Sequence, residues 1–353
     1  MKLVNIVGAR PQFIKLAPLE RAIAEFNSGD TRSVESVIIH TGQHYDSGMS
    51  DIFFDELKIP RAHFHLDVGS GRHGEQTGRM LEKIEDILLD ASPDMVVTYG
   101  DTNSTLAGAL AASKLHIPVA HVEAGLRSFD RRMPEEINRL VADHVSDLLL
   151  APTPTAVTNL GNENLSSRTV FTGDIMYDAV LFNRNLAKQR SAILKKLQLE
   201  PGTFGLVTVH RASNTDEKGR LGKLLQTFNE VAAKQLPLVF PVHPRTANAL
   251  KSEYAGWTAH PNLHLVDPLG YLDTLSLLDN AKIALTDSGG LQKEAFFLGC
   301  PCITLREETE WVETVEAGGN HLTGTDPEKI LAAVTHWKQY SASGAHGFSS
   351  VAA

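Results

Sequence analysis

Leu3-Val4-Asn5-Ile6-Val7-Gly8-Ala9-Arg10-Pro11-Gln12 opens as a short apolar run, breaks at glycine and turns polar at Arg10. The run is too short for a signal peptide and reads as a first buried strand. A helical pattern follows at Phe13–Phe26. A strand that ends in glycine and feeds a helix is the first half of a βαβ unit, and the same rhythm recurs downstream. Val37–His40, Met95–Tyr99, Val119–Val122 and Leu148–Ala151 read as further strands, with helices such as Glu75–Leu89 and Thr105–Leu115 between them. Such alternation predicts a parallel sheet with helices on its faces.

Around Thr172–Pro201 the pattern changes to Thr172-Gly173-Asp174, a polar helix and Glu200-Pro201-Gly202, which reads as a domain connection. The rhythm then restarts with strands at Phe204–Val209, Leu238–Pro241, Leu263–Val266 and Ile283–Thr286 and helices near Leu221–Ala233 and Leu272–Asn280. The expectation is an α/β protein of two Rossmann-like domains, residues 1–172 and 173–353, facing each other across a cleft. Ligands of such sheets bind beyond the carboxyl ends of the strands. The closing stretch Ser341–Ala353 is small and glycine-containing and receives no element.

Bulk properties narrow the function. A chain of 353 residues is long for one core and suits two. Its 33 basic and 42 acidic residues give a net charge of −9, against the basic face of a general nucleic-acid binder. An anionic small substrate stays open, because a locally basic cleft can sit in an acidic protein. No apolar run approaches the roughly 20 residues of a membrane helix. Cys300 and Cys302 are the only two cysteines, with a single residue between them, and neither a disulfide nor a metal pair is expected of them, which fits a reducing, cytoplasmic setting.

The candidate chemistry lies at predicted strand ends. Gly8 permits a tight turn before a helix N-terminus, and Arg10 and Lys15 could add charge for a diphosphate; an ordinary βα turn is the alternative. Asp101, in Tyr99-Gly100-Asp101-Thr102-Asn103, is either a helix N-cap or a catalytic carboxylate at the ligand edge. Glu123 emerges from the next strand in His121-Val122-Glu123-Ala124-Gly125-Leu126-Arg127, and Glu135 and Glu136 open a helix after Met133-Pro134, where the dipole alone would favour them. Asp101, Glu123 and Glu135, on successive ligand-edge loops, can raise one another's pKa and divide acid and base roles. In the second half His210, before Arg211, reads as a phosphate contact or proton donor, and His243-Pro244-Arg245 ends another strand. Thr286-Asp287-Ser288-Gly289-Gly290 brings backbone N–H groups together at a helix start, a diphosphate cradle, with Glu294 placed for ribose hydroxyls. The 15 histidines form no metal-binding spacing, so no protein-held metal is expected.

At these residues the chain resembles the non-hydrolysing UDP-N-acetylglucosamine 2-epimerase family, whose fold is the GT-B-type pair of Rossmann-like domains. The match runs from Gly8-Ala9-Arg10-Pro11 through Thr41-Gly42-Gln43-His44, Gly100-Asp101-Thr102, His121–Arg127, Pro134-Glu135-Glu136, Val209-His210-Arg211, His243-Pro244-Arg245, Asp287–Ala295 and Thr309-Glu310. The resemblance implies C2 epimerisation of a UDP-sugar without NAD, metal or other cofactor: UDP is eliminated to leave a glycal and re-added. It implies Asp101, Glu123, Glu135 and His210 as catalytic. It implies Arg10 and Lys15 as a basic pair, and Ser288, Gly289, Gly290 and Glu294 as the UDP-binding set, with His243 and Arg245 as further substrate contacts. A cytoplasmic homodimer that engages neither nucleic acid nor membrane is expected. Gln12 and His210-Arg211-Ala212-Ser213-Asn214 depart from the best-known bacterial pattern. With Ser128–Met133 they look more like the branch acting on UDP-2,3-diacetamido glucuronic acid, for which Arg131, Arg132, Ser213 and Asn214 are candidate contacts. The rivals are a hydrolysing epimerase, a glycosyltransferase and a non-enzymatic nucleotide-sugar sensor.

Overall fold

The computed structural model describes residues 1–29, 33–43, 57–217 and 219–339. His44 and the Ser341–Ala353 stretch lie outside the described residues. The chain divides into two units, Met1–Ala179 and Val180–Ala353. The sequence-based boundary after residue 172 falls just before the helix Ile175–Arg190, whereas the division falls inside that helix.

The first unit is built on seven strands: β1 (Lys2–Val7), β2 (Glu35–His40), β3 (Phe64–His65), β4 (Met95–Tyr99), β5 (Val119–Val122), β6 (Leu148–Ala151) and β7 (Thr169–Phe171). They lie in the order β3-β2-β1-β4-β5-β6-β7, and every pairing is parallel. Parallel neighbours need crossovers, and the helices Arg10–Gly29, His73–Ala91, Asn103–Lys114 and Pro134–Val145 supply them. The core is sealed by Val4, Ile6, Val37, Ile39, Met80, Ile84, Val96 and Val119. The helix Asn103–Lys114 carries Ala107, Gly108, Ala109, Ala111 and Ala112 because it lies very close to the sheet: a Cβ on Gly108 would come 2.8 Å from Ile6 Cδ1.

The second unit repeats the plan with β8 (Gly205–Thr208), β9 (Leu238–Pro241), β10 (Leu263–Val266), β11 (Ile283–Thr286), β12 (Cys302–Thr304) and β13 (Asn320–Leu322). Their order is β10-β9-β8-β11-β12-β13, again parallel throughout. Leu224, Phe228, Val231, Phe240, Ile283, Ile303, Val334 and Trp337 fill one face. Phe204, Leu206, Val239, Leu277, Ala284 and Ala295 fill the other. Cys302 lies on β12, and both cysteines are buried free thiols.

In each sheet the strand order reverses direction once, between β1 and β4 in the first and between β8 and β11 in the second. Such switch points splay the flanking crossovers to opposite faces and open a crevice at the carboxyl edge. The residues leaving those strands are Gly8, Gly100-Asp101, Val209-His210 and Asp287-Ser288. Each belongs to a segment singled out from the sequence.

Candidate functional site

The first-unit edge is built on a tight turn. A Cβ at Gly8 would sit 2.0 Å from Thr41 Oγ1 and 2.3 Å from Ser104 Oγ, so no larger residue fits. The buried Gln12 locks the turn in place. Its Oε1 accepts from the Gly8 and Ala9 amides at 2.8 and 3.0 Å, and its Nε2 donates to the Tyr99 carbonyl at 2.8 Å and Thr105 Oγ1 at 3.1 Å. An amide can both accept and donate there, and an ionised carboxylate could only accept. Gln12 is thereby a tie between the β1 and β4 loops.

Lys15, one turn further into the helix, donates to Glu123 Oε2, and both side chains are buried. Glu123 holds a φ of +71°, a left-handed conformation costly for a non-glycine residue and characteristic of over-determined functional loops. Burial pushes the Glu123 carboxyl above its ordinary value; Lys15 opposes this, while the charges of Asp174 and Asp101 push the same way. Burial alone would lower Lys15, but Glu123, Asp101 and Asp174 outweigh it and raise the ammonium. Glu123 and Lys15 both hold their protons more firmly than isolated groups would, in the negative field of Asp101 and Asp174. Lys15 is thus placed on a carboxylate, where the sequence suggested a diphosphate contact. Arg10 is half-buried at the start of the same helix.

Asp101 is not the helix cap. Thr102 caps Asn103–Lys114 through a reciprocal box with Thr105, which leaves the Asp101 carboxylate for other partners. Asp101 Oδ2 accepts from Arg139 Nη2 at 2.5 Å, its carbonyl accepts from Asn138 Nδ2 at 2.9 Å, and its side chain remains 32% exposed. Arg139 is buried and also donates to Glu136 Oε2 at 2.8 Å. Glu136 in turn accepts from the Ser128 and Phe129 amides at 2.9 and 3.0 Å. This separates two neighbours that the helix dipole favours alike. Glu136 is a buried brace for the 128–136 loop, while Glu135 is half-buried in the first turn with no hydrogen bond or ion pair among the described residues. Asp174 and Arg139 were not singled out from the sequence. Asp174 looked like part of a linker; its carboxylate caps Ile175–Arg190 by accepting from the Met176 amide at 2.8 Å.

In the second unit the fully buried Asp287 organises the edge. Its carboxylate accepts from the His210 and Arg211 amides at 3.0–3.1 Å, from Asn214 Nδ2 at 3.1 Å, and lies 3.3 Å from His210 Nδ1. The His210 ring also lies against His243, with centroids 5.2 Å apart, and His243 Nδ1 accepts from the Arg245 amide at 3.2 Å. The Arg245 guanidinium is exposed and pairs with Asp216 at 3.0 Å. Asn214 is fully buried and also donates to the Leu305 carbonyl at 3.0 Å, so it braces the loop and has no surface for a sugar. Arg132 is likewise exposed and turned to Asp130 at 2.8 Å.

Ser288 caps the helix Gly289–Leu298 by accepting from the Leu291 amide at 3.4 Å. The amides of its first turn have no intrahelical acceptor and carry the positive end of the helix dipole. A Cβ on Gly289 would lie 2.4 Å from Glu310 Oε1, whereas a Cβ on Gly290 would meet nothing within 4 Å. Gly289 is therefore required by the fold, and Gly290 leaves room for an atom from outside it. Glu310 accepts from Arg306 Nη1 at 3.0 Å and lies 4.0 Å from Arg211 Nη2, so two guanidinium groups flank this helix start. Glu294 is buried further along the same helix. Among the described residues, no three His, Cys, Asp or Glu side chains gather as a metal site, and no helix is long and apolar enough to cross a membrane.

Residues 28–348 match the UDP-N-acetylglucosamine 2-epimerase family. A UDP-N-acetylglucosamine 2-epimerase homolog of Methanococcus maripaludis is 53% identical, over 97% of this chain and 94% of the relative. The UDP-2,3-diacetamido-2,3-dideoxy-D-glucuronate 2-epimerase of Pseudomonas aeruginosa is 48% identical, over 94% and 90%. The crystal structure of Methanocaldococcus jannaschii UDP-GlcNAc 2-epimerase in complex with UDP-GlcNAc and UDP has a TM-score of 0.90 at 44% identity, over 97% of this chain and 94% of that one. Likeness of this extent spans both units, and the chain belongs to the UDP-N-acetylglucosamine 2-epimerase family.

Proposed function

We propose that this chain interconverts UDP-N-acetylglucosamine and UDP-N-acetylmannosamine by reversible elimination and re-addition of UDP. The observation that carries the reading is the buried Glu123–Lys15 pair with Asp101 and Asp174 acting on it. A carbon-bound hydrogen is a weak acid, and a carboxylate with raised proton affinity is a stronger base for it. In the forward step a carboxylate takes the C2 proton, the C2–H electron pair becomes the C1=C2 double bond, and the C1–O bond breaks with its electrons leaving on UDP. In the return step a UDP oxygen attacks C1 and a proton is delivered to the opposite face of C2. Asp101, Glu123 and Glu135 share the proton transfers. The amides of Gly289 and Gly290, with Ser288, take the diphosphate at a helix N-terminus, where developing negative charge is stabilised. His210, oriented by Asp287, adds a donor to the same anion, and Glu294 accepts from ribose hydroxyls.

Proton NMR of the products tests this reading. A mixture of two UDP-linked sugars, reached from either side, is expected. Free N-acetylmannosamine with UDP would indicate hydrolysis, a need for an acceptor would indicate a transferase, and no turnover of any UDP-HexNAc would indicate a sensor.

The uronate alternative draws on the Pseudomonas aeruginosa relative and on Ala212-Ser213 after Arg211. The burial of Asn214 and the Asp130–Arg132 pairing count against two of the contacts that a decorated sugar would use. The plain sugar is therefore the primary assignment. The proposal includes a cytoplasmic homodimer, for which light scattering should give about twice the 38.5 kDa chain mass.

A further inference from the structure

His121 sits on β5 between the two loops that carry Asp101 and Glu123, and it is fully buried. Its Nδ1 lies 2.7 Å from Asp143 Oδ1 and its Nε2 lies 2.7 Å from the Gly100 carbonyl oxygen. A carbonyl oxygen accepts only, and so does an ionised carboxylate. A neutral imidazole has one N–H, so it would leave a lone pair facing an oxygen at hydrogen-bond distance inside the protein, which is unfavourable. The other carboxylate oxygen of Asp143 accepts from the Gly125 amide at 3.1 Å and from Arg127 Nη2 at 2.8 Å, and Arg127 is held by Glu163 through two bonds of 2.7 Å. The Arg127 guanidinium and the Gly125 amide both donate to this carboxylate and favour its ionised form, so Asp143 is not the proton donor.

We propose that His121 is a buried imidazolium that donates from both ring nitrogens, fixing the bend at Gly100 that aims Asp101 and, through Asp143 and the Gly125 amide, the loop that aims Glu123. The groups facing it are the Gly100 carbonyl beyond β4, Asp143 on the helix Pro134–Val145, and Arg127 with Glu163 behind Asp143. Two cations and two anions close this cluster without net charge. His121 is a positioning residue. The inference rests on the epimerase reading only where it concerns turnover, and its main readout needs no substrate.

Long-range proton–nitrogen correlation spectra of protein carrying nitrogen-15 histidine, taken at about pH 8, supply that readout, since an ordinary histidine with a pKa near 6.5 is neutral there. His121→Asn assigns the signals. The expected result is that both His121 ring nitrogens are protonated, and a single protonated nitrogen overturns the proposal. Asp143→Asn should strip the second proton at the same pH, which serves as the assignment if His121→Asn fails to fold; retention of both protons in that variant also overturns it. Either variant, where folded, should lower kcat by about tenfold or more with KM within about twofold, because the loops lose aim and not ligand contacts.

Discussion

The two units reach their strand edges with the same topology but equip them differently. The first places its chemistry in buried ionised side chains: Lys15 on Glu123, Arg139 between Asp101 and Glu136, His121 between Gly100 and Asp143. The second places it in backbone amides, with Asp287 folding the His210 loop and Ser288-Gly289-Gly290 opening a helix. The contrast fits the tasks proposed for the two edges. Proton transfer needs groups whose affinity for a proton is tuned by neighbours, whereas holding a diphosphate needs fixed dipoles that do not titrate.

The largest effects should come from the first edge. Asp101→Asn, Glu123→Gln and Glu135→Gln should each lower kcat by about 100-fold or more, the scale of an acid–base group, with circular dichroism unchanged. Near-normal rates in all three would break the division of labour. Next come the glycines. Gly290→Ala meets nothing in the protein, so its melting temperature should stay close to that of the parent while KM for the UDP-sugar rises about tenfold, the cost of about 1.4 kcal/mol of lost amide approach. Gly289→Ala displaces Glu310 from its place beside Arg306 and should lower stability and binding together.

Lys15→Met removes the ammonium that pulls the Glu123 proton affinity down. The acid limb of the rate profile, which reports ionisation of that carboxyl, should then move to higher pH. The stability consequence has a definite sign. A carboxyl whose folded pKa is raised above its unfolded value contributes stability below the unfolded pKa and loses it as pH rises through the folded one. The variant should therefore melt lower, relative to the parent, at neutral pH than in acid. The smallest effect is expected at Arg245, exposed and paired with Asp216: Arg245→Ala should change stability by within about 0.5 kcal/mol and KM by less than about threefold. A large KM effect would return Arg245 to the diphosphate.

Much of the fold was legible because parallel strands buried on both faces read as short apolar runs with sharp ends. Met95–Tyr99, Val119–Val122, Leu148–Ala151, Leu238–Pro241 and Ile283–Thr286 were read to the residue. The short outer strands Phe64–His65, Thr169–Phe171 and Asn320–Leu322 were not, since two or three residues carry no period and outer positions need fewer apolar side chains. Strand-end position also picked out Asp101, Glu123, His210 and Ser288. What one chain cannot show is which partner a charge chooses. Glu135 and Glu136 look alike in sequence, yet only Glu136 is turned to the Ser128 and Phe129 amides. Lys15 looked like a phosphate ligand until Glu123, 108 residues away, was beside it. Asp174 was hidden in a polar stretch because capping a helix and charging a buried site leave the same mark.

The most direct measurement is turnover of UDP-N-acetylglucosamine in D₂O, followed by proton NMR at C2 of both UDP-linked sugars. Elimination through a C1=C2 intermediate releases the C2 proton to an exchangeable carboxylate, so deuterium should enter C2 of the mannosamine product at once and of recovered substrate as equilibrium is approached. Formation of the epimer with its C2 proton retained would contradict proton transfer through Asp101, Glu123 and Glu135.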